Sequence, residues 1–227
     1  MAKNKPFRLL PAASNCWTSG LALDGARALG QQFDISSNPP KVLILYGSLR
    51  KTSFSRLLAY EYARILEDLG CDVQVFNPRG KCLPVKDDTS DNDPKVTELR
   101  NLSIWSEGQI WVSPEQHGTI TGVFKNMSRK SFGSFSSERR SSIPKAWTEF
   151  DMVEGLTDEL ELPVGRLKAS SFRDRVVDVA EEFFKFMVLL RGKTDFLVDR
   201  YSEREEKKLH GRLLAQAEKE DNAPTNK

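Results

Sequence analysis

The residues best suited to chemistry lie in one polar loop, GSLRKTSFS at 47–55, between an apolar run and a helical pattern. Ser48, Ser53 and Ser55 can donate hydroxyl hydrogen bonds, and Arg50 adds a charged, forked donor. The N–H groups and the dipole of a helix start favour an anion at the same place. The loop therefore predicts a phosphomonoester site, although a ligand-free, serine-rich helix cap has a similar composition. It matches neither GxGxxG nor GxxxxGK(S/T).

A second polar cluster, PEQHG, follows another short apolar run. Its members are Pro114, Glu115, Gln116, His117 and Gly118. The proline and the glycine flank a tight turn whose backbone amides can face a flat ring. The alternative is an ordinary loop histidine that bonds to the backbone. Because this cluster is expected to lie beside the phosphate loop, ligand binding by His117 and an ordinary loop histidine are equally good interpretations.

The flanking sequence predicts a parallel sheet that positions both loops. KVLILY (41–46) is continuously apolar, which is typical of a strand covered on both faces. Residues 56–69 have a helical apolar period, and Gly70 is a common C-terminal stop. CDVQVFN (71–77) has the composition of a second strand. Together these segments predict a right-handed β-α-β unit.

A third strand is predicted at 109–113, after a helix over 94–106 whose N-cap is Asp93. Because parallel strands end at the same sheet edge, the two polar loops are expected to meet there. The helix is expected to bury four apolar residues: Val96, Leu99, Leu102 and Trp105. Trp111 is expected to pack in the core, as Trp105 does, and not to form a stacking platform.

The rest of the chain has weaker patterns. Residues 1–40 have little order signal and are interpreted as an arm, either disordered or wrapped around a neighbouring subunit. Residues 128–142 contain seven serines in fifteen positions and resemble a linker. Residues 151–169 are predicted to form a polar, acidic loop.

A helix is predicted from Ser171, capped with Asp174, to Arg191, where Gly192 ends it. Its expected buried stripe consists of Phe172, Val176, Val179, Phe183, Met187 and Leu190. Thr194 is a candidate cap for a further helix, and the charged end of the chain is expected to be an exposed helix that frays. The predicted domains are thus the arm at 1–40, a domain at 41–209 and a tail at 210–227.

The composition argues against several other classes of protein. The 34 basic and 32 acidic residues leave a net charge of +2, which does not favour nucleic-acid binding. Three cysteines without CxxC spacing and two distant histidines support neither a disulfide framework nor a zinc site. No apolar run approaches the roughly 20 residues that span a bilayer, and we find no secretory signal. We therefore expect a cytoplasmic protein with neither a nucleic-acid nor a membrane partner.

Several motifs together resemble the ArsH family of arsenical-resistance flavoproteins, which are NADPH-dependent FMN reductases. They are YGSLRKTSFSRLLA (46–59), FNPRG (76–80), ELRNLSIWSEGQIWVSPEQHGTITGVFK (98–125), and FRDRVVDV with DRYSERE (172–179 and 199–205). The resemblance covers most of 39–127 and returns over roughly 143–209. It implies an α/β fold with a flavodoxin-like, three-layer parallel sheet.

The resemblance also implies FMN and NADPH as cofactors. Hydride would pass from NADPH through FMN to acceptors such as oxygen, quinones or trivalent organoarsenicals, and no catalytic side chain or metal is needed. By the same resemblance, Ser48, Arg50, Ser53, Phe54 and Ser55 hold the FMN phosphate. The cluster at 114–118 follows the ribityl chain and the isoalloxazine ring. Family members form homotetramers, in which the N-terminal arm and the C-terminal helix assist assembly.

The chain departs from the family after residue 125. The family continues there through an aromatic-Pro turn, a fourth buried strand and a Ser-Gly-Gly loop that faces the flavin. This chain has the serine- and arginine-rich stretch 128–142 instead, so the sheet is expected to lack one or more strands after the third. We then expect an exposed third strand, weaker FMN binding and lower stability.

Three interpretations follow from these motifs. The first is an active NADPH-dependent FMN reductase of the ArsH type. The second is an impaired, shortened paralogue, or a splicing or annotation variant, which retains the phosphate-binding half and acts at most as a non-catalytic subunit. The third is a flavodoxin-like binding module without a redox role.

Overall fold

The structure, a computed structural model, describes residues 17–79, 83–84, 93–128, 150–157, 163–193 and 201–212. The chain divides into two compact units, Met1–Val188 and Leu189–Lys227. The first unit contains the sheet and both polar loops. The sequence places the end of the domain at residue 209, and that boundary stays a prediction.

Three parallel strands form the central sheet of the first unit. They are β1 (Lys41–Tyr46), β2 (Asp72–Phe76) and β3 (Gly108–Val112), in the order β2-β1-β3. Residues 42–46 of β1 are fully buried, because side chains pack on both faces of the strand. The predicted parallel sheet is confirmed, and within the described residues β3 lies at one edge of it.

Helices cover both faces of this sheet. Helix α1 spans Asp24–Gln32, α2 spans Phe54–Asp68, and α3 spans Pro94–Trp105. One core cluster joins alternate residues of β1, such as Ile44, to α2 and to a later helix. The other face of β1 contributes Leu43 and Leu45 to a second cluster with α3 and the segment after β3. The result is the three-layer α/β arrangement that the sequence predicts.

Two of the predicted helix boundaries are confirmed by their cap geometry. Asp93 is the N-cap of α3, and its Oδ1 accepts a hydrogen bond of 2.7 Å from the Lys95 N–H. Gly70 follows α2 with a φ of 89°, a conformation that glycine adopts without steric cost.

The long helix α5 (Ser171–Leu190) begins differently from the prediction. Ser170 is its cap, because the Ser170 hydroxyl accepts from the Arg173 N–H and its carbonyl accepts from the Asp174 N–H. The predicted Ser171–Asp174 capping box is therefore one residue out of register. The buried residues of α5 are Val176, Ala180, Phe184, Met187 and Val188, whereas four residues predicted to be buried are only half-buried: Phe172, Val179, Phe183 and Leu190.

The tryptophans are less buried than predicted. Helix α3 buries Val96, Leu99 and Ser103, whereas Leu102 and Trp105 are half-buried. Trp111 is 40% exposed and its ring is tilted against that of Phe124 at 5.4 Å between centroids. It lies on edge strand β3, where it has neighbours on fewer sides than a residue of β1.

Two segments predicted as irregular contain regular structure. Residues 17–20 form a 3₁₀ helix, α1 follows, and Leu23 and Ala26 are buried in the core, so the expectation of little order is wrong there. The predicted loop at 151–169 contains a hairpin of β6 (Phe150–Thr157) and β7 (Pro163–Leu167). A buried carboxylate of α2, Glu61, accepts from the Arg166 Nε at 2.8 Å and from the Leu167 N–H at 2.9 Å, which fixes β7 against α2.

The remaining predictions concern the end of the chain and the linker. In the second unit, α6 (Tyr201–His210) is the expected charged helix. The proposed cap Thr194 and all of the linker after Ser128 lie outside the described residues. None of the helices in the described ranges is long and apolar enough to cross a membrane.

Candidate functional site

The two polar loops leave neighbouring strands at the same edge of the sheet. Tyr46 of β1 and Val112 of β3 are register partners, and the Gly47 N–H donates to the Val112 carbonyl at 2.9 Å. Gly47 and Ser113 are therefore the first residues beyond the paired strands, and each opens one loop. The sequence predicts that the two loops lie together at the carboxyl edge of the sheet. Their first residues do lie together there.

Thr121 ties the end of the second loop to the start of the first. Its hydroxyl donates to the Gly47 carbonyl at 2.8 Å and accepts from the Phe124 N–H at 3.2 Å. Its own N–H donates to the Ser113 hydroxyl at 3.1 Å. Thr121 thus caps the following helix α4 (Gly122–Ser128) and joins both loops through one buried side chain.

The close contact at Gly47 excludes any side chain. A Cβ there would lie 2.8 Å from Thr121 Oγ1, 2.9 Å from Phe124 Cβ and 3.0 Å from Ser113 Oγ. Such distances are far inside van der Waals contact. The lack of a side chain at Gly47, the first residue of the predicted phosphate loop, therefore allows the second loop to pack against it.

The first loop, residues 47–53, passes directly into α2. Ser53 is buried and is the N-cap of the helix, since its Oγ accepts from the Arg56 N–H at 3.2 Å. Ser48 and Ser55 are half-buried, and Arg50 is exposed. The Arg50 N–H donates to the Ser48 hydroxyl at 3.4 Å, which folds the loop back on itself.

The electrostatics of this helix start favour a negative ligand. Helix α2 has fifteen residues, and its first turn in the described structure carries no acidic side chain. The N–H groups of the first turn and the positive end of the dipole face the loop. Hydroxyls and the guanidinium of Arg50 lie on the same stretch, so the donors suit a phosphate.

The second loop is a short hairpin, which the sequence did not predict. Strands β4 (Glu115–Gln116) and β5 (Thr119–Ile120) pair antiparallel. His117 and Gly118 form the turn with φ values of 50° and 73°. Two consecutive positive φ values are typical of a type I′ turn, which suits the twist of a two-residue hairpin. Residues 115–120 are exposed and Pro114 is half-buried.

The comparisons with known proteins agree with this geometry. Residues 40–128, which contain all three parallel strands and both loops, match the NADPH-dependent FMN reductase family. The chain is 41% identical over 210 residues to the NADPH-dependent FMN reductase ArsH of Acidithiobacillus ferrooxidans, covering 75% of this chain and 83% of that protein. The chain belongs to the ArsH family of NADPH-dependent FMN reductases.

Two further ArsH relatives are similar over comparable lengths. The NADPH-dependent FMN reductase ArsH of Rhizobium meliloti is 41% identical over 236 residues, covering 87% of this chain and 90% of that protein. The Shigella flexneri protein of the same name is 38% identical over 206 residues, covering 73% and 76%. Membership confirms the predicted enzyme family and its flavodoxin-like fold, and the cofactors that this family implies are FMN and NADPH.

The sequence interpretation of the ArsH-type site missed three residues that organise it. Gly47, Thr121 and Arg56 hold or contact the first loop, yet none belongs to the predicted ligand set. Thr121 had a detectable signal, because a threonine directly before Gly122 and a helical segment is a common N-cap. Arg56 had none, since an arginine in a helix start is usually exposed.

The described part of the chain contains no group of three or more His, Cys, Asp or Glu side chains that could hold a metal ion.

Proposed function

We propose that this chain is an NADPH-dependent FMN reductase that binds FMN across the two joined loops. Ser48, Arg50, Ser53, Phe54 and Ser55 hold the phosphate at the start of α2. The hairpin turn and its flanks follow the ribityl chain and the isoalloxazine ring. The observation that carries this proposal is the connection of both loops at one sheet edge through Gly47 and Thr121.

FMN, when bound, supplies the redox chemistry by accepting a hydride from NADPH and passing it to an acceptor. The residues of the chain bind and orient the flavin. The start of α2 compensates the phosphate charge with N–H donors and Arg50. The exposed hairpin presents backbone amides beside the ring position, and a side-chain acid or base is not required in this scheme.

We propose small-molecule acceptors of the classes expected from the family: oxygen, quinones and trivalent organoarsenicals, with arsenic resistance as the physiological context. A homotetramer in the cytoplasm is the assembly that accompanies this function. We propose neither nucleic acids nor membranes as partners, because the net charge is near zero and the sequence contains no apolar run of membrane-spanning length.

A second candidate is a shortened reductase with weakened FMN binding. The alignment with the Acidithiobacillus relative runs over 210 positions, yet 75% of this 227-residue chain is about 170 residues. About 40 positions of the alignment therefore have no residue of this chain, and the Rhizobium and Shigella alignments give about 39 and about 40 by the same arithmetic. All three alignments thus show a shortfall of about 40 residues in this chain relative to the matched relatives.

The shortfall has a natural place in the fold. The family match ends at residue 128, and the parallel sheet of the described residues ends at β3. A β-α unit fits in about 40 positions, since a complete β-α-β unit takes roughly 30 or more. A chain that lacks such a unit retains the phosphate loop and loses part of the surface that contacts the ring.

The deciding experiment is the visible spectrum of the purified chain, before and after NADPH is added. If the chain is an active reductase, it is expected to carry near-stoichiometric FMN that is bleached by NADPH. The shortened candidate predicts low flavin content and NADPH consumption only with excess FMN, or none. Arg50→Ala and Ser55→Ala variants should weaken FMN binding in either case. Calorimetry that detects no FMN binding by the parent chain would reject both candidates.

The acceptor and the assembly need separate measurements. NADPH oxidation with oxygen alone, with a quinone and with a trivalent organoarsenical ranks the acceptors by kcat/KM. Light scattering measures the oligomeric state. Co-purification with a full-length ArsH protein, in the absence of activity, would favour the role of a non-catalytic subunit.

A further inference from the structure

A buried arginine supports the phosphate loop from within the domain. Arg56 lies in the first turn of α2 and is only 2% exposed, the largest fully buried side chain of the described residues. Its Nη2 donates to the Lys51 carbonyl at 3.1 Å. Arginine is rarely fully buried, and here the side chain donates this bond to the backbone of the predicted phosphate loop.

The position of the Arg56 guanidinium is further defined by an aromatic ring. Its Cζ lies 5.9 Å from the centroid of the buried Tyr60 ring. A contact at this distance is a cation–π interaction, which is stronger when both groups are removed from water. The guanidinium is therefore held between Tyr60 and the loop and does not extend into solvent.

The bond from Arg56 to the Lys51 carbonyl orients the peptide group between Lys51 and Thr52. In a trans peptide the C=O and the next N–H point in opposite directions. The described residues contain no cis peptide bond. Because the Lys51 carbonyl points at Arg56, the Thr52 N–H points away from it. A carbonyl aimed at an anion repels it, whereas successive N–H groups attract it.

We propose that Arg56 is a positioning residue that makes the loop selective for the phosphorylated flavin, FMN, over riboflavin. The proposal rests on the proposed function, in which this loop takes the FMN phosphate. Arg56 acts through the loop by holding the Lys51 carbonyl away from the ligand. Riboflavin lacks the phosphate and gains nothing from this effect.

The test compares FMN and riboflavin binding to the full-length apoprotein by quenching of flavin fluorescence. Arg56→Lys keeps a cation but loses the planar fork that reaches Lys51. We expect the Kd for FMN to rise about tenfold, the size of one lost hydrogen bond to a charged group, and the Kd for riboflavin to stay within about twofold. The ratio of the two Kd values is the readout, because a general loss of folding would weaken the binding of both flavins equally.

Arg64 provides a matched control on the same helix. Its Cζ lies 6.0 Å from the centroid of the same Tyr60 ring, it is 6% exposed, and its Nη1 is 3.4 Å from a Glu61 oxygen. Arg64→Lys therefore perturbs an equally buried guanidinium two turns away from the loop. The FMN-to-riboflavin ratio of this variant should equal that of the parent chain.

A milder variant covers the case in which Arg56→Lys does not fold. Thr52→Pro deletes the N–H that the Arg56 bond orients, at an exposed position outside α2. It should reduce the ratio in the same way, whereas Thr52→Ala, which keeps the N–H, should not.

The outcomes separate this inference from the function on which it rests. A parent chain that binds neither flavin rejects the proposed function and the inference with it. A parent chain that binds FMN, combined with equal losses for both flavins in Arg56→Lys, rejects the inference alone. An unchanged ratio in both Arg56→Lys and Thr52→Pro does the same.

Discussion

The two loops at the sheet edge are built in opposite ways. Loop 47–53 is supported by buried groups, since Ser53 caps α2 and Arg56 holds the Lys51 carbonyl. The hairpin at 115–120 is exposed along its whole length, and at its stem the Thr121 N–H donates to the Ser113 hydroxyl. A charged phosphate gains from a rigid set of donors, because none has to be reoriented on binding. A flat ring can be covered by a more adaptable loop.

The largest effect is expected where the two loops touch. Gly47→Val places branched carbon atoms where Thr121, Phe124 and Ser113 already lie, so the loops must separate. We expect the free energy of unfolding to fall by about 3 kcal/mol, the upper end of ordinary overpacking, and FMN binding to be lost. Urea unfolding and flavin fluorescence measure these two quantities.

Gly122→Ala is the control for this change. A Cβ at Gly122 meets nothing within 4 Å, and the residue begins helix α4. This variant should be neutral or slightly more stable. A Gly47→Val variant that is as stable as the parent chain and binds FMN would show that the loops are not joined at this contact.

The next effect concerns the link itself. Thr121→Val retains the shape of the side chain but leaves the buried Gly47 carbonyl without the Thr121 donor. A cost of about 1–3 kcal/mol is expected for stability, together with weaker FMN binding. Thr121→Ser keeps the hydroxyl and should lose much less in both measurements. Equal behaviour of the two variants would mean that the hydroxyl does not couple the loops.

Ser53, the N-cap of α2, and Ser55, in the first turn of α2, allow support of the helix to be distinguished from ligand contact. Ser53→Ala removes the cap of α2 and is expected to cost about 1 kcal/mol of stability, with weaker FMN binding as a consequence. Ser55→Ala should weaken FMN binding while the free energy of unfolding stays within about 0.5 kcal/mol. Thermal unfolding without ligand and FMN titration measure the split, and a stability loss confined to Ser55→Ala would contradict it.

The smallest effect is expected in the hairpin turn. Asparagine tolerates the left-handed conformation that His117 adopts at a φ of 50°. His117→Asn should therefore change stability by less than about 0.5 kcal/mol. If backbone amides contact the ring, the Kd for FMN should change little as well. His117→Val disfavours positive φ and should weaken FMN binding, and a large loss in His117→Asn would instead assign a direct role to the imidazole.

Local rules predicted the central elements well. The continuous apolar run of β1, the cap at Asp93 and the stop at Gly70 depend on neighbours within a few positions, and all three are confirmed. The meeting of the two loops also followed from the sequence, because parallel strands end at one edge whatever their side chains are. The motifs and this one topological rule therefore predicted where the candidate site lies, while the ligand contacts of its residues stay a prediction.

The errors lie where burial depends on distant residues. The hairpin of β6 and β7 looked like a polar loop, yet β7 carries Arg166 to the buried Glu61, which is 105 positions earlier in the chain. The cap of α5 is Ser170, one residue before the predicted Ser171. Four of the six apolar side chains predicted for its buried face are only half-buried, because packing against the sheet and α2 decides which face is covered. Trp111 is exposed because β3 is an edge strand within the described residues.

The sequence by itself determined the strand-helix-strand order of the parallel unit and the family, and it predicted an anion site in the first loop. Those properties depend on residue types at fixed local spacing. Only the tertiary structure decided that no side chain fits at position 47, that Thr121 joins the two loops and that Arg56 lies beneath the first loop. Each of these depends on an atom brought close by folding, and the Gly47–Thr121 contact crosses 74 positions of the chain.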